Sequence, residues 1–166
     1  TDRCNLRCLY CMPKEGVSLL GHDDILSYEE ILRVIREAVA LGITKVRVTG
    51  GEPLVRRGLL DFLHALKQLP LQDLSLTTNG ILLEVYAEKL FDAGIRRINV
   101  SLDSLHPEKY ARITRGGNLH SVLRGIERAE RIGFAPIKIN TVALRGINDD
   151  EILDIARLTL EKPYQV

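Results

Sequence analysis

The chain reads as an α/β fold, a parallel sheet with helices packed outside it. Three observations predict this. Strand and helix patterns alternate with short connections from about residue 27 onward. The helical stretches stop at Gly42, Pro70, Gly94 and Gly133, residues that end helices. The strands alternate apolar and polar residues and so have two different faces.

The elements follow in order. Ser27-Tyr28-Glu29-Glu30 is a capping box. It starts a helix whose apolar positions Ile31, Val34, Ile35, Ala38, Val39 and Leu41 recur at helical spacing up to Gly42. A strand is predicted at Lys45–Thr49 and a helix from about Arg57 to Leu69, ended by Pro70. A strand at Asp73–Thr78 and a helix at Leu82–Ala93 follow, then a strand at Arg96–Leu102. Helical segments fill Pro107–Ile113 and Leu119–Ile132. A strand covers Ile137–Ala143, and a last helix begins at Asn148-Asp149-Asp150, where acidic residues suit the N-terminal dipole. An extended segment opens after Glu161, so we expect a piece of a larger protein whose sheet continues.

Parallel strands covered on both faces usually read as continuous apolar runs. Here Val46 and Val48 alternate with Lys45, Arg47 and Thr49, and Leu74 and Leu76 with Ser75 and Thr77. Ile98, Val100 and Leu102 alternate with Asn99, Ser101 and Asp103, and Ile137 and Ile139 with Lys138 and Asn140. One face must meet the helices, while the other is polar and basic. A closed eight-stranded barrel fills its interior with branched apolar side chains. A polar inner face implies a wider or incomplete barrel with a ligand inside. The alternative is a sheet with one solvated face.

Composition is that of an ordinary globular chain: 166 residues, 45% hydrophobic and 27% charged. The length supports one domain with a sizeable core, expected over residues 1–166. A net charge of +1 gives no reason to expect nucleic acid or a membrane surface as partner.

The only three cysteines are Cys4, Cys8 and Cys11, spaced x3 then x2. A cubane iron–sulfur cluster is normally held by four cysteines. Three thiolates would leave one iron open to a small molecule, which separates a catalyst from an electron wire. A disulfide framework fits poorly with an odd count in a chain this long. Structural zinc wants four ligands, and past the Cys8–Cys11 pair the next candidate, His22, lies eleven residues on. Thiols kept reduced until assembly suit a cytosolic compartment.

Gly50-Gly51-Glu52-Pro53 follows the first strand. Glycines let backbone approach a ligand closely, and Glu52 brings a carboxylate to the strand's C-terminal end, where ligands bind in α/β sheets. Alone, this is an ordinary turn. Together with the cysteines it resembles the radical S-adenosylmethionine (SAM) superfamily. Further motifs sharpen the likeness. Thr1 to Pro13, Arg47 to Leu54, Thr77-Thr78-Asn79-Gly80, Ile98 to Leu105, Ile137 to Asn140 and Gly146 to Asp149 resemble, in order, the molybdenum-cofactor biosynthesis protein A family, the GTP 3′,8-cyclases.

The resemblance implies a partial (β/α)6 TIM-like barrel of the radical SAM type. It implies that Cys4, Cys8 and Cys11 hold a [4Fe–4S] cluster whose open iron is chelated by SAM. Tyr10, Gly51 and Ser101 match SAM-contact positions, with Gly50 and Glu52 beside them. Arg47, Thr78 and Lys138 match positions that contact the substrate, GTP. Physically, Arg47 and Lys138 are cations expected on neighbouring polar strand faces, suited to a triphosphate, and Thr78 offers a hydroxyl at a strand end. Read without the resemblance, the cations can instead pair with Glu52 or Asp103, and Thr78 can cap a turn. An electron donor is also implied. So is a second [4Fe–4S] cluster held by C-terminal cysteines; with none after Cys11, it is expected outside this stretch, as is a basic N-terminal segment that contacts GTP.

Two rivals remain at this point: another radical SAM enzyme with auxiliary clusters, such as a peptide maturase, and a non-enzymatic metal-binding module. Arg115-Gly116-Gly117, before a helix, reads as a turn or a small anion site. The four histidines show no ligand spacing.

Overall fold

A computed structural model describes residues 1–166, with the side chain of His22 outside the described part. The candidate histidine ligand therefore lies outside the described residues. Five parallel strands form one sheet: β1 (Lys45–Val48), β2 (Asp73–Thr78), β3 (Arg97–Ser101), β4 (Ile137–Asn140) and β5 (Tyr164–Gln165). Their spatial order equals their chain order. Each crossover therefore steps one strand onward in the same sense, and right-handed crossovers then put every helix on one face. The helices are α1 (Tyr28–Ala40), α2 (Leu59–Lys67), α3 (Leu83–Asp92), α4 (Pro107–Thr114), α5 (Leu119–Ile132) and α6 (Ile152–Glu161). None is long and apolar enough to cross a membrane among the described residues.

Local chemistry explains the boundaries. The Ser27 hydroxyl accepts from the Glu30 N–H, and the Glu30 carboxylate accepts from the Ser27 N–H, closing the box that starts α1. Asn118 caps α5, and Gly133, left-handed at φ 103°, ends it. Helix α2 starts at Leu59 rather than near Arg57, because Gly58 takes a left-handed conformation at φ 78°. Asn148 does not cap the last helix. A 3₁₀ turn, Asp149–Glu151, intervenes, and α6 begins at Ile152.

Leu76, Ile98, Val100 and Ile139 point to the helix side and are buried against α2, α3 and α5. Burial of each such side chain contributes about 1.5–3 kcal/mol. The opposite face carries the polar residues in rows set by the strand register. Arg47 pairs with Ser75, and Ser75 with Arg97. Thr77, Asn99 and Lys138 form the next row, and Ser101 pairs with Asn140 beyond it.

That register corrects one expectation. Arg47 on β1 and Lys138 on β4 are not neighbours, since β2 and β3 lie between them. Three strand spacings of about 4.8 Å put their backbones on the order of 14 Å apart.

Candidate functional site

The cysteine loop lies across the C-terminal ends of the strands and is fastened at several points. The Gly51 N–H donates to the Thr1 carbonyl (2.9 Å) and the Glu52 N–H to the Arg3 carbonyl (2.9 Å). On the other side the Arg7 N–H donates to Thr114 (3.2 Å) and the Leu9 N–H to Ile113 (2.9 Å), both carbonyls at the end of α4. The N–H groups of Cys11 and Met12 both donate to the Cys8 carbonyl (3.0 Å each), which makes the tight turn between the last two cysteines. The Arg7 guanidinium folds back onto the carbonyls of Cys4 (2.7 Å) and Leu6 (2.9 Å).

Gly51 is needed here for space. A Cβ on it would stand 2.3 Å from the Arg3 carbonyl oxygen and 3.4 Å from the Cys4 Cβ. The backbone it must admit is that of the cysteine loop itself, not only that of a ligand. Gly50 lies less tightly against Thr1, where a Cβ would stand 3.1 Å from the backbone nitrogen.

Glu52 is completely buried. Its Oε1 accepts from the Leu54 N–H (3.0 Å) and the Thr78 hydroxyl (2.8 Å), and its Oε2 from the Asn79 N–H (2.7 Å). Burial pushes its carboxyl above the usual range, and these three donors oppose the rise. The carboxylate thus ties the β1 loop to the end of β2. Thr78, 2% exposed, shares the helix-facing side with Leu74 and Leu76; besides donating to Glu52, its hydroxyl accepts from the Gly80 N–H (3.1 Å). It caps this turn and does not stand on the polar face with Arg47 and Lys138. Thr77 does, beside Asn99 (3.4 Å).

Tyr10 is 42% exposed, with its hydroxyl donating to Asp103 Oδ2 (2.6 Å). Asp103, 2% exposed, also accepts from the Val142 N–H (2.9 Å). Asn148 fixes the same corner, donating to the carbonyls of Asp103 (2.6 Å) and Val142 (3.0 Å). Asp103 and Asn148 were not singled out as site residues from sequence. The signal available was position: Asp103 follows β3 directly, where a carboxylate meets the strand ends.

Arg47, Ser101, Lys138 and Asn140 lie on the polar face. Among the described residues, none has a side-chain hydrogen bond or ion pair to the protein. Arg97, a cation the sequence reading passed over, is held by Asp73 (3.2 Å). A cavity of about 330 Å³ opens beside Cys4, lined by Asp2, Arg3, Asn5, Arg7 and Met12 among others.

The thiols suit a polynuclear centre. Burial pushes the Cys8 thiol up to about 11, helped by the charges of Asp103, Cys4 and Cys11. Cys4 and Cys11 thus both act on Cys8 electrostatically. Yet among the described residues no three His, Cys, Asp or Glu side chains gather closely enough to hold one metal ion. Three cysteines in a loop fastened on both flanks fit a centre in which each thiolate takes a different iron.

The sheet, loop and polar face are those of one class. The chain matches the radical SAM superfamily model over residues 1–159 and belongs to that superfamily. Membership implies a [4Fe–4S] cluster and SAM. More narrowly, the chain is 52% identical over 167 residues to the GTP 3′,8-cyclase of Alkaliphilus oremlandii (strain OhILAs), covering 100% of this chain and 52% of that protein. It is 55% identical to the GTP 3′,8-cyclase of Geobacter sulfurreducens, covering 100% of this chain and 51% of that one. The chain thus spans about half the length of the curated relatives it matches. Its fold is also that of Streptococcus suis SuiB bound to precursor peptide SuiA, with TM-score 0.79, 19% identity, 97% of this chain and 35% of that chain covered. The expected partial TIM-like barrel is the observed fold class.

Proposed function

We propose that this chain is the radical-generating core of a GTP 3′,8-cyclase, the enzyme that converts GTP to the cyclised pterin precursor in molybdenum cofactor biosynthesis. The observation that carries this is identity of 52% and 55% to proteins of that name over the whole chain. The likeness to a peptide-binding neighbour is one of fold, at 19% identity.

In this reading Cys4, Cys8 and Cys11 hold the cluster, leaving one iron for SAM. When bound, the cluster and SAM together would supply hydrogen-abstracting radical chemistry toward the ribose, the electron coming from an external donor. Tyr10 presents its ring beside the adenine, its hydroxyl anchored on Asp103. Gly50 and Gly51 hold the cysteine loop against the β1 turn, with Gly51 offering backbone to SAM. Glu52 supports that turn from beneath. Ser101 offers its hydroxyl from the end of β3.

Arg47 and Lys138 approach GTP from opposite sides of the curved sheet, so they hold different parts of it. Thr78 reaches GTP only through what it supports, the Asn79 turn. The second cluster and the remaining GTP contacts belong to the longer protein, and a separate electron donor reduces the cluster.

Anaerobic reconstitution with iron and sulfide tests the core of this reading. About four irons and four sulfides per chain are expected. Cys4→Ala, Cys8→Ala and Cys11→Ala should each abolish the cluster, and SAM should perturb its EPR signal. Zinc without sulfide, or a spectrum indifferent to saturating SAM, would overturn it.

A further inference from the structure

Arg115 is the one residue other than glycine with positive φ among the described residues, at φ 54° and ψ 56°. L-residues other than Gly, Asn and Asp seldom take this conformation. It is the residue that ends α4, a position where glycine serves without strain. Its neighbours Gly116 and Gly117 show that glycine is used in this turn. An arginine held there points to work done by its side chain.

That side chain is half-buried and reaches back to the cysteine loop. Its guanidinium donates to the carbonyl of Met12 (2.7 Å) and to that of Arg7 (3.2 Å). Arg7 precedes Cys8 and Met12 follows Cys11, so one planar cation brackets the stretch holding both thiols. The backbone beside it already pairs Arg7 with Thr114 and Leu9 with Ile113. Gly117 lets the turn lie close: a Cβ there would meet Thr114 Oγ1 at 2.6 Å and Leu6 Cδ2 at 3.1 Å. The turn that looked in sequence like a helix start or an anion site is thus a seat for the loop, its guanidinium already occupied by carbonyls.

We propose that Arg115 is a positioning residue for the cluster, setting the Cys8–Cys11 turn so that two thiolates are correctly spaced before iron arrives. Both bonds come from one terminal nitrogen, Nη1, whose position the planar guanidinium fixes, whereas an ammonium on a shorter, freely rotating stem is not fixed in this way. The clamp acts on ligand spacing, so its loss should show in cluster retention while the fold stands. The inference rests on Cys8 and Cys11 being cluster ligands, as in the function proposed above.

The test compares Arg115→Gly and Arg115→Lys with the parent protein. Far-UV circular dichroism of the apo proteins checks the fold, and iron release to a chelator after anaerobic reconstitution reads the clamp. Glycine relieves the left-handed strain and removes the clamp; lysine keeps the strain and part of the clamp. With apo spectra like the parent's, iron loss should be at least about tenfold faster for Arg115→Gly, the change that one lost charge-assisted hydrogen bond carries. Arg115→Lys should fall between the two. Equal retention in parent and both variants overturns the proposal while leaving the cluster assignment standing. A parent that assembles no cluster overturns both. Should Arg115→Gly fail to fold, Arg115→Lys decides: faster iron loss from a folded protein supports the clamp, and parental retention overturns it.

Discussion

At the C-terminal ends of the strands, Glu52, Asp103 and Asn148 are each at most 2% exposed, and their polar atoms are taken up by named partners. On the polar face below, Arg47, Ser101, Lys138 and Asn140 form no side-chain hydrogen bond or ion pair among the described residues. The difference follows from solvation. A buried carboxylate or amide must be satisfied by the protein, so the rim is a set of completed hydrogen bonds that holds the cysteine loop. A polar side chain facing solvent is satisfied by water and stays available to a ligand. Rim residues therefore position the loop, and the function proposed above assigns binding to the face residues.

Gly51 offers the hardest break of this contrast, because it is where rim and loop touch without a side chain between them. Gly51→Ala places a Cβ 2.3 Å from the Arg3 carbonyl, which must move and carry Cys4 with it. Overpacking of this kind costs about 1–3 kcal/mol. The expected outcome is loss of most of the reconstituted iron, read by iron and sulfide analysis, rather than a weakened SAM effect on an intact cluster. A full cluster with impaired SAM coupling would show that Gly51 serves the ligand and not the loop.

The face is broken by removing its cations. In a protein of the relatives' full length, Arg47→Ala or Lys138→Ala each removes a charge-assisted contact of roughly 1.5–3 kcal/mol. GTP should bind at least about tenfold more weakly in equilibrium dialysis. Cluster content should be unchanged, because among the described residues neither side chain makes a hydrogen bond or ion pair with the cysteine loop. With β2 and β3 between them, the two substitutions should be close to additive in free energy. Loss of the cluster would move these residues from the face to the rim.

Much of this was legible in the sequence. Periodicity and caps placed α5 at Leu119–Ile132 and β2 at Asp73–Thr78, as observed. Period-two alternation separated the polar face from the core because the helices cover one face only. Strand order was not legible, since it depends on how crossovers pack, and so Arg47 and Lys138 were expected too close together. For Thr78 both a ligand contact and a turn cap were open from sequence; its parity with Leu74 and Leu76 puts it on the helix side, where it caps the turn. The rim contacts were out of reach for a simpler reason. Tyr10 and Asp103 are 93 residues apart, and Glu52 and Asn79 are 27 apart. No local pattern announces such a pairing.

Tyr10 belongs to both regions, and its substitution is the mildest test. Its hydroxyl completes the rim by donating to Asp103, while the residue is 42% exposed and, in the proposed function, its ring faces SAM. Tyr10→Phe keeps the ring and deletes the donor. Asp103 Oδ2 then loses its partner while Oδ1 keeps the Val142 N–H, so apo stability should fall by about 1–2 kcal/mol in denaturant unfolding. SAM affinity, read from the EPR titration of the reconstituted cluster, should shift by no more than about threefold, because the stacking surface is unchanged. Tyr10→Ala removes both parts and should weaken SAM further at similar cluster content. If Tyr10→Phe and Tyr10→Ala weaken SAM equally, the hydroxyl and its Asp103 anchor, rather than the ring, set the position of the cofactor, and Tyr10 is wholly a rim residue.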